Sequence, residues 1–219
     1  MLQILLVLAV FLAIIFPMGK YLYHLALGQP TFADPVFDGL DNLIYRVCAI
    51  DRREMNWKQY ALALLTTNAV MVFLGYLILR IQSLPLFNPN AMGGMEPSLA
   101  FNTIISFMTN TDLQHYSGES GLSYLSQMTV ITFMMFTSAA SGFSVAIAAV
   151  RGFAGQGTTM GNFYRDLVRV ITRVLLPLSL LVGLVLVSQG VVQNLSPNLT
   201  LQTLEGSYQD MAMGPMAAL

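Results

Sequence analysis

FNTIISFMTNTDLQHYSGESGLSYLSQM, Phe101 to Met128, is the stretch whose reading decides the fold. It is crowded with Thr, Asn, Asp, Gln and Ser, yet long apolar segments lie on both sides of it. At membrane depth, backbone that is not helical is tolerated only where it is buried in protein or lines a watery path. A polar, re-entrant loop between two membrane helices therefore reads as a pore lining. The run Thr109, Asn110, Thr111, Asp112 offers backbone carbonyls and hard side-chain oxygens, the ligand type that replaces water around an alkali cation.

The flanks are those of a membrane protein. The chain has 219 residues, 55% hydrophobic and only 10% charged, with mean hydropathy +0.64. A soluble domain averages about 25% charged residues. No basic stripe with interleaved aromatics is present, which argues against nucleic acid as a partner. The single Cys48 excludes a disulfide framework within the chain and reads as a core residue. The 14 methionines lie scattered through apolar segments and read as packing, not metal ligation.

A spanning helix needs about 20 apolar residues. Four segments meet or approach that: Leu2 to Leu25, Gln59 to Ile81, Leu122 to Val150 and Leu167 to Val191. The first lacks the basic start and small-residue cleavage site of a signal peptide, so it reads as a retained helix, with Pro17 as a possible kink. Small residues Ser138 to Gly142 in the third would let neighbouring backbones approach closely. Between the second and third, Ser98 is read as an N-cap opening LAFNTIISFM, apolar at helical spacing. That helix, about ten residues, is too short to span. It fits a helix that dips halfway in and points the negative end of its dipole at the Thr109 loop, favouring a cation there.

Basic residues set the orientation. Lys20, Arg46, Arg52, Arg53 and Lys58 lie beside segments one and two, and Arg151, Arg165, Arg169 and Arg173 beside segments three and four. Only Arg80 of the 10 falls on the other side. The basic side is read as cytoplasmic, which puts the N-terminus and the polar loop outside. The organisation expected is an N-terminal membrane helix (1–27), a cytoplasmic loop (28–58), a helix–pore-helix–filter–helix unit (59–150), a cytoplasmic loop (151–166), a helix beginning a second unit (167–191), and an external segment (192–219) read as truncated before a second filter. The fold class is all-α integral membrane, of the potassium-channel-like kind. Four such units surround an ion, so one unit supplies about a quarter of the ligand ring.

RREMNWKQYA at Arg52 to Ala61, SFMTNTDLQHYSGESGLSYLSQM at Ser106 to Met128, SAASGFSVA at Ser138 to Ala146, and QTLEG at Gln202 to Gly206 followed by MGPMA resemble the potassium-binding subunit of the bacterial Kdp-type potassium-transporting ATPase. The resemblance runs along essentially the whole chain, in order. It implies a channel-derived subunit in the bacterial cytoplasmic membrane, partnered by an ATP-hydrolysing P-type subunit and small single-span accessory subunits. That subunit takes external K+ through its filter and passes the ion on through a tunnel. The resemblance puts Thr109, Asn110 and Thr111 in the first unit's filter, and Gln114 just beyond it at a position that influences potassium binding. Asp112 stands where Asn is common in the family, a departure that adds charge. The family's members run to more than twice this length, so filter residues of the later units do not carry over.

Other polar residues are weighed against plainer roles. The Gln114 amide is read as bonding a filter carbonyl or ligating the ion, and His115 as loop surface. Asp112, Glu119 and Glu96 place carboxylates at the outer mouth, either attracting cations or simply solvated. Asn68 and Asn102 are read as hydrogen-bonding neighbouring helices. RREMNWKQY reads as an interface anchor, and Arg165, Arg169 and Arg173 as topology signals that also suit lipid phosphates or an acidic partner face. There is no phosphate-binding loop: Gly19-Lys20 is followed by Tyr21. Each tenfold of uphill gradient costs about 1.4 kcal/mol, so another chain must drive active uptake. The enzymatic part of such a complex is not assigned to this chain. Two other readings stay open: a passive or ion-gradient-driven potassium channel or transporter, and a truncated scaffold that only docks partners.

Overall fold

The computed structural model describes residues 2–155 and 159–218. It is mostly helical, with a single two-stranded hairpin among the described residues. Four helices are long and apolar enough to cross a membrane: α1 (Leu2–Ala26), α3 (Trp57–Ile81), α6 (Tyr124–Phe153) and α7 (Phe163–Ser188). The four apolar segments of the sequence account for them, each shifted by only a few residues. Between them lie α2 (Asp34–Val47), α4 (Pro97–Met108) and the single turn α5 (Gly118–Gly121). The strands β1 (Leu199–Gln202) and β2 (Tyr208–Met211) pair antiparallel, with Leu199 opposite Met211.

Caps explain where helices begin. Asn56 accepts from the Gln59 N–H, and the Gln59 side chain accepts from the Asn56 N–H, a reciprocal capping box that starts α3 inside the RREMNWKQY block. Helix α4 starts two residues earlier than the sequence reading. Its N-cap is Glu96, not Ser98: the Glu96 carboxylate accepts from the Leu99 N–H at 2.8 Å and from the Ser98 hydroxyl at 2.6 Å. Pro97 occupies the first turn, where its missing N–H costs nothing.

Helix α2 lies within the stretch read as a loop. Its Asp34, Asp38, Asp41 and Tyr45 fall on one face at helical spacing, and Val36, Leu40, Leu43 and Val47 on another. Cys48, read as a core residue, caps the end of α2 and is exposed.

The principal core forms where α3, α4 and α6 meet, around Met71 and Leu79, Ala100, Ile104 and Phe107, and Val130, Ile131 and Met134. Methionines fill gaps there, as expected of a flexible apolar side chain. A second cluster joins α1 through Leu25 to Ala140 and Ile147 of α6 and Val170 of α7. The membrane helices are otherwise apolar on their exposed faces, α1 and the second half of α7 most of all. Both α6 and α7 contain a π-helical stretch, Gln127–Thr132 and Ile171–Leu175.

Candidate functional site

The site is the loop that leaves the C-terminal end of α4. Ser106, in the last turn, organises it. The Ser106 carbonyl accepts from the N–H groups of Thr111 (3.0 Å) and Asp112 (3.3 Å), and its hydroxyl accepts from the Leu113 N–H at 2.8 Å while lying 3.2 Å from the Leu113 carbonyl. The Thr109 N–H reaches the Ile105 carbonyl, and that of Asn110 the Phe107 carbonyl. Every main-chain N–H from Thr109 to Leu113 is thus turned back onto the helix end. The carbonyls of Thr109, Asn110, Thr111 and Asp112 accept no hydrogen bond among the described residues. Donors are satisfied inward, and four acceptors are left to something else.

The backbone conformation matches this arrangement. Asn110 and Asp112 are left-handed, φ 55° and 53°, while Thr111 between them is not. Of the residues with a Cβ, Asn and Asp enter that region most readily, because the short polar side chain bonds locally. Asp112 fits this turn for the same reason as Asn110: its short polar side chain tolerates the left-handed region. Side chains add to the bracing. The Thr109 and Thr111 hydroxyls lie 2.8 Å apart, and the Ser138 hydroxyl of α6 donates to Asn110 Oδ1 at 3.2 Å. All of Thr109 to Asp112 are exposed at one side of the chain.

Beyond the loop, Gln114 and His115 are exposed, and the Gln114 amide makes no hydrogen bond among the described residues. Glu119 accepts from the Ser117 hydroxyl, which holds its carboxyl below the usual range. Burial pushes the Tyr116 hydroxyl up to about 12. Glu96, grouped with these carboxylates in the sequence reading, caps the opposite end of α4. Asn68 is met by Ser141 of α6, whose hydroxyl donates to Asn68 Oδ1 at 3.4 Å, the interhelical bond expected of it. Asn102 is exposed and has no such bond among the described residues.

Several residues that hold the site were not singled out from the sequence. Gln82 is 1% exposed and ties three pieces together. Its amide donates to the carbonyls of Gly93 and Gly121 at 2.9 Å and accepts from the Ser123 N–H at 3.2 Å. A polar residue just past an apolar run was the only available signal. On the basic side, Arg151 pairs with Asp166 at 2.7 Å and also donates to the carbonyl of Ala26, joining α1, α6 and α7. Asn162 donates to the carbonyls of Asp51 and Arg53 at 2.8 and 2.7 Å, which fastens the RREMNWKQY block to the start of α7.

Four long apolar helices, with a short apolar helix and a polar loop inserted between two of them, define a multi-pass membrane protein. The chain belongs to the family KdpA, potassium-transporting ATPase A subunit, which it matches over residues 5–219. It is 52% identical to the potassium-transporting ATPase potassium-binding subunit of Clostridium acetobutylicum over 219 residues, all of this chain and 39% of that protein. The subunit of the same name from Caldanaerobacter subterraneus is 49% identical over 204 residues, 93% of this chain and 36% of that one. That from Staphylococcus haemolyticus is 48% identical over 217 residues, 99% of this chain and 39% of that one. The chain therefore spans about two fifths of the length of the curated relatives it matches.

Proposed function

We propose that this chain supplies one wall of the potassium filter in an ATP-driven uptake complex. The carbonyls of Thr109, Asn110, Thr111 and Asp112 replace part of the ion's hydration shell, and Gln114 stands beside the filter mouth. One observation carries this reading: the loop's N–H groups are turned inward onto α4, while those four carbonyls have no partner among the described residues. Carbonyls so presented suit dehydration of an alkali cation, whose selection depends on the number and field strength of its oxygens. The C-terminal end of α4 adds the negative end of its dipole to the same place. Family membership, and relatives named as potassium-binding subunits, support K+ as the ion.

One unit makes one wall, and a ring of such walls would surround the ion. The helix–short-helix–loop–helix stretch acts as one unit of the channel-like ring, with α7 opening the next. The energy comes from an ATP-hydrolysing P-type subunit, with small single-span subunits and membrane lipid completing the assembly. In the bacterial cytoplasmic membrane the basic ends face inward, so the N-terminus and the filter mouth lie outside.

The test uses the full-length subunit in its complex, reconstituted in liposomes. Thr111→Ala and Asn110→Ala should raise the potassium concentration for half-maximal uptake at least tenfold, with uptake still requiring ATP. Unchanged potassium dependence in both variants would remove the loop from the ion path. Uptake that persists without ATP would favour the gradient-driven reading instead.

A further inference from the structure

On the basic side of the membrane, α2 is amphipathic in an unusual sense. Its acidic face turns inward onto Arg173 of α7, which meets the carboxylates of Asp34 (2.8 Å), Asp38 (2.6 Å) and Asp41. Its apolar face points away from the rest of this chain: Val36, Leu40, Leu43 and Val47 are 72%, 40%, 55% and 75% exposed. A helix with an outward apolar stripe beside membrane helices belongs at the lipid boundary.

Beneath α2 opens a cleft of about 270 Å³, to which Arg52, Arg165, Arg169 and Arg173 contribute beside the three aspartates. Arg173 already takes all three carboxylates. None of Arg52, Arg165 and Arg169 has a carboxylate within ion-pairing distance among the described residues. Arg52 donates to Asn42 and lies over the Tyr45 ring at 5.0 Å. Arg169 reaches only the Gln29 carbonyl, at 3.2 Å, and its Nε is buried with no hydrogen-bond partner. A second polar cleft of about 230 Å³ is also lined by Arg165 and Arg169, together with Arg151, Asp166 and Glu54. A half-buried guanidinium whose buried Nε has no acceptor suits an anion. The guanidiniums exceed the carboxylates by one, which suits the single charge of a phosphodiester.

We propose that this cleft binds the phosphate of an anionic phospholipid through Arg165 and Arg169, with Arg52 at its rim and the acyl chains along the Val36–Val47 stripe. The guanidinium fork matches phosphate geometry. Basic pockets between membrane helices are where anionic headgroups bind. Arg165 and Arg169 stand two and six residues past Phe163, the first residue of the apolar span, a rise of about 3 and 9 Å, which suits headgroup depth. The adjoining apolar stripe is what distinguishes a lipid from free phosphate as occupant.

The test is native mass spectrometry of the full-length subunit in its purified complex, exchanged against phosphatidylglycerol, phosphatidylcholine or inorganic phosphate. Binding is read directly, so the outcome does not depend on the potassium reading. The wild type should retain phosphatidylglycerol at least tenfold more tightly than phosphatidylcholine. R165Q/R169Q should lose one bound phosphatidylglycerol per complex, and V36S/L43S should weaken retention with the arginines intact. No preference for phosphatidylglycerol in the wild type would overturn the proposal without any variant. So would equal retention by R165Q/R169Q. Displacement of the lipid by millimolar inorganic phosphate would make the cleft a soluble-anion site and overturn the lipid assignment.

Discussion

The Tyr21 hydroxyl of α1 donates to the main-chain carbonyl of Arg173 in α7 at 2.8 Å. Four residues further along α7 stands Pro177, which has no N–H to give that carbonyl. Pro177 cannot donate to that carbonyl, and a tyrosine from another helix does. Satisfying such a group matters more in a membrane than in water. Tyr21→Phe is therefore expected to destabilise the α1–α7 contact by about 1–2 kcal/mol. In a Pro177→Ala background an N–H becomes available four residues on, and the same change should matter less. Thermal unfolding of the four forms in detergent checks this. Equal losses in both backgrounds would separate the tyrosine from the proline.

Ser106 gives the sharpest test of how the loop is held. Its hydroxyl and carbonyl together anchor Thr111, Asp112 and Leu113. Ser106→Ala removes the hydroxyl anchor and leaves the carbonyl in place. A side-chain hydrogen bond of this sort is worth about 1 kcal/mol net. The potassium concentration for half-maximal activity should rise roughly five- to tenfold, with a smaller change in maximal rate. A fall in maximal rate alone would place Ser106 in folding or coupling, not in ion binding.

Arg173 has three carboxylates on one guanidinium, and its own side chain is 3% exposed. Arg173→Gln leaves Asp41, itself nearly buried, without its cation. Breaking a buried pair from one side costs about 3–5 kcal/mol. The variant should fail to accumulate, or should melt far below the wild type. Arg173→Gln combined with Asp41→Asn should recover part of the loss, since it removes the uncompensated charge. A double variant no better than the single would show that Asp41 does not carry the penalty.

Asp34 links the same cluster to pH. Burial alone would push its carboxyl up, but hydrogen bonds from Arg173 and from Thr31 outweigh this and hold it at about 2. An unfolded aspartate titrates near 3.9. A folded pKa below the unfolded one gives stability that is complete above about pH 4 and is lost as pH falls toward 2. The linked contribution is about 2–3 kcal/mol. Melts between pH 2 and 5 should show this loss in the wild type. Asp34→Asn should start less stable at pH 5 and fall less steeply. Parallel curves would assign the acid sensitivity to other carboxylates.

These tests fall unevenly across what the sequence makes legible. The membrane helices are readable because a run such as Leu2 to Phe16 has only one solvent it can face. The polar stretch at Thr109 stands out because polarity between membrane spans is expensive unless it is satisfied. Helix α2 is not readable in that way. Its Asp34, Asp38 and Asp41 look like a solvated loop until Arg173, over 130 residues away, is seen to collect them. Ser106 is hidden for a related reason: a serine in an apolar helix gives no sign that its carbonyl and hydroxyl will hold three later N–H groups. Glu96 and Ser98 can both accept from a helix N-terminus, and only the geometry chooses Glu96 as the cap.

Gly75 joins packing to the candidate ion site. A Cβ there would lie 2.3 Å from Ile104 Cδ1, 3.1 Å from its Cγ1 and 3.2 Å from Met134 Cε. The glycine is what lets α3 approach α4 so closely. Ile104 is fully buried among Met71, Val130 and Met134, so it has little room to yield. Gly75→Ala should therefore cost about 1–3 kcal/mol by overpacking. Ile104 stands two residues before Ser106, so pushing it outward also shifts the helix end that holds the Thr109 to Asp112 loop. The potassium dependence of uptake should weaken along with stability. Ile104→Val deletes the clashing Cδ1 and by itself costs about 1 kcal/mol. The double variant should then be more stable than Gly75→Ala and should recover its potassium dependence. Recovery of stability without recovery of potassium binding would mean that α3 supports the short helix but does not set the position of the loop.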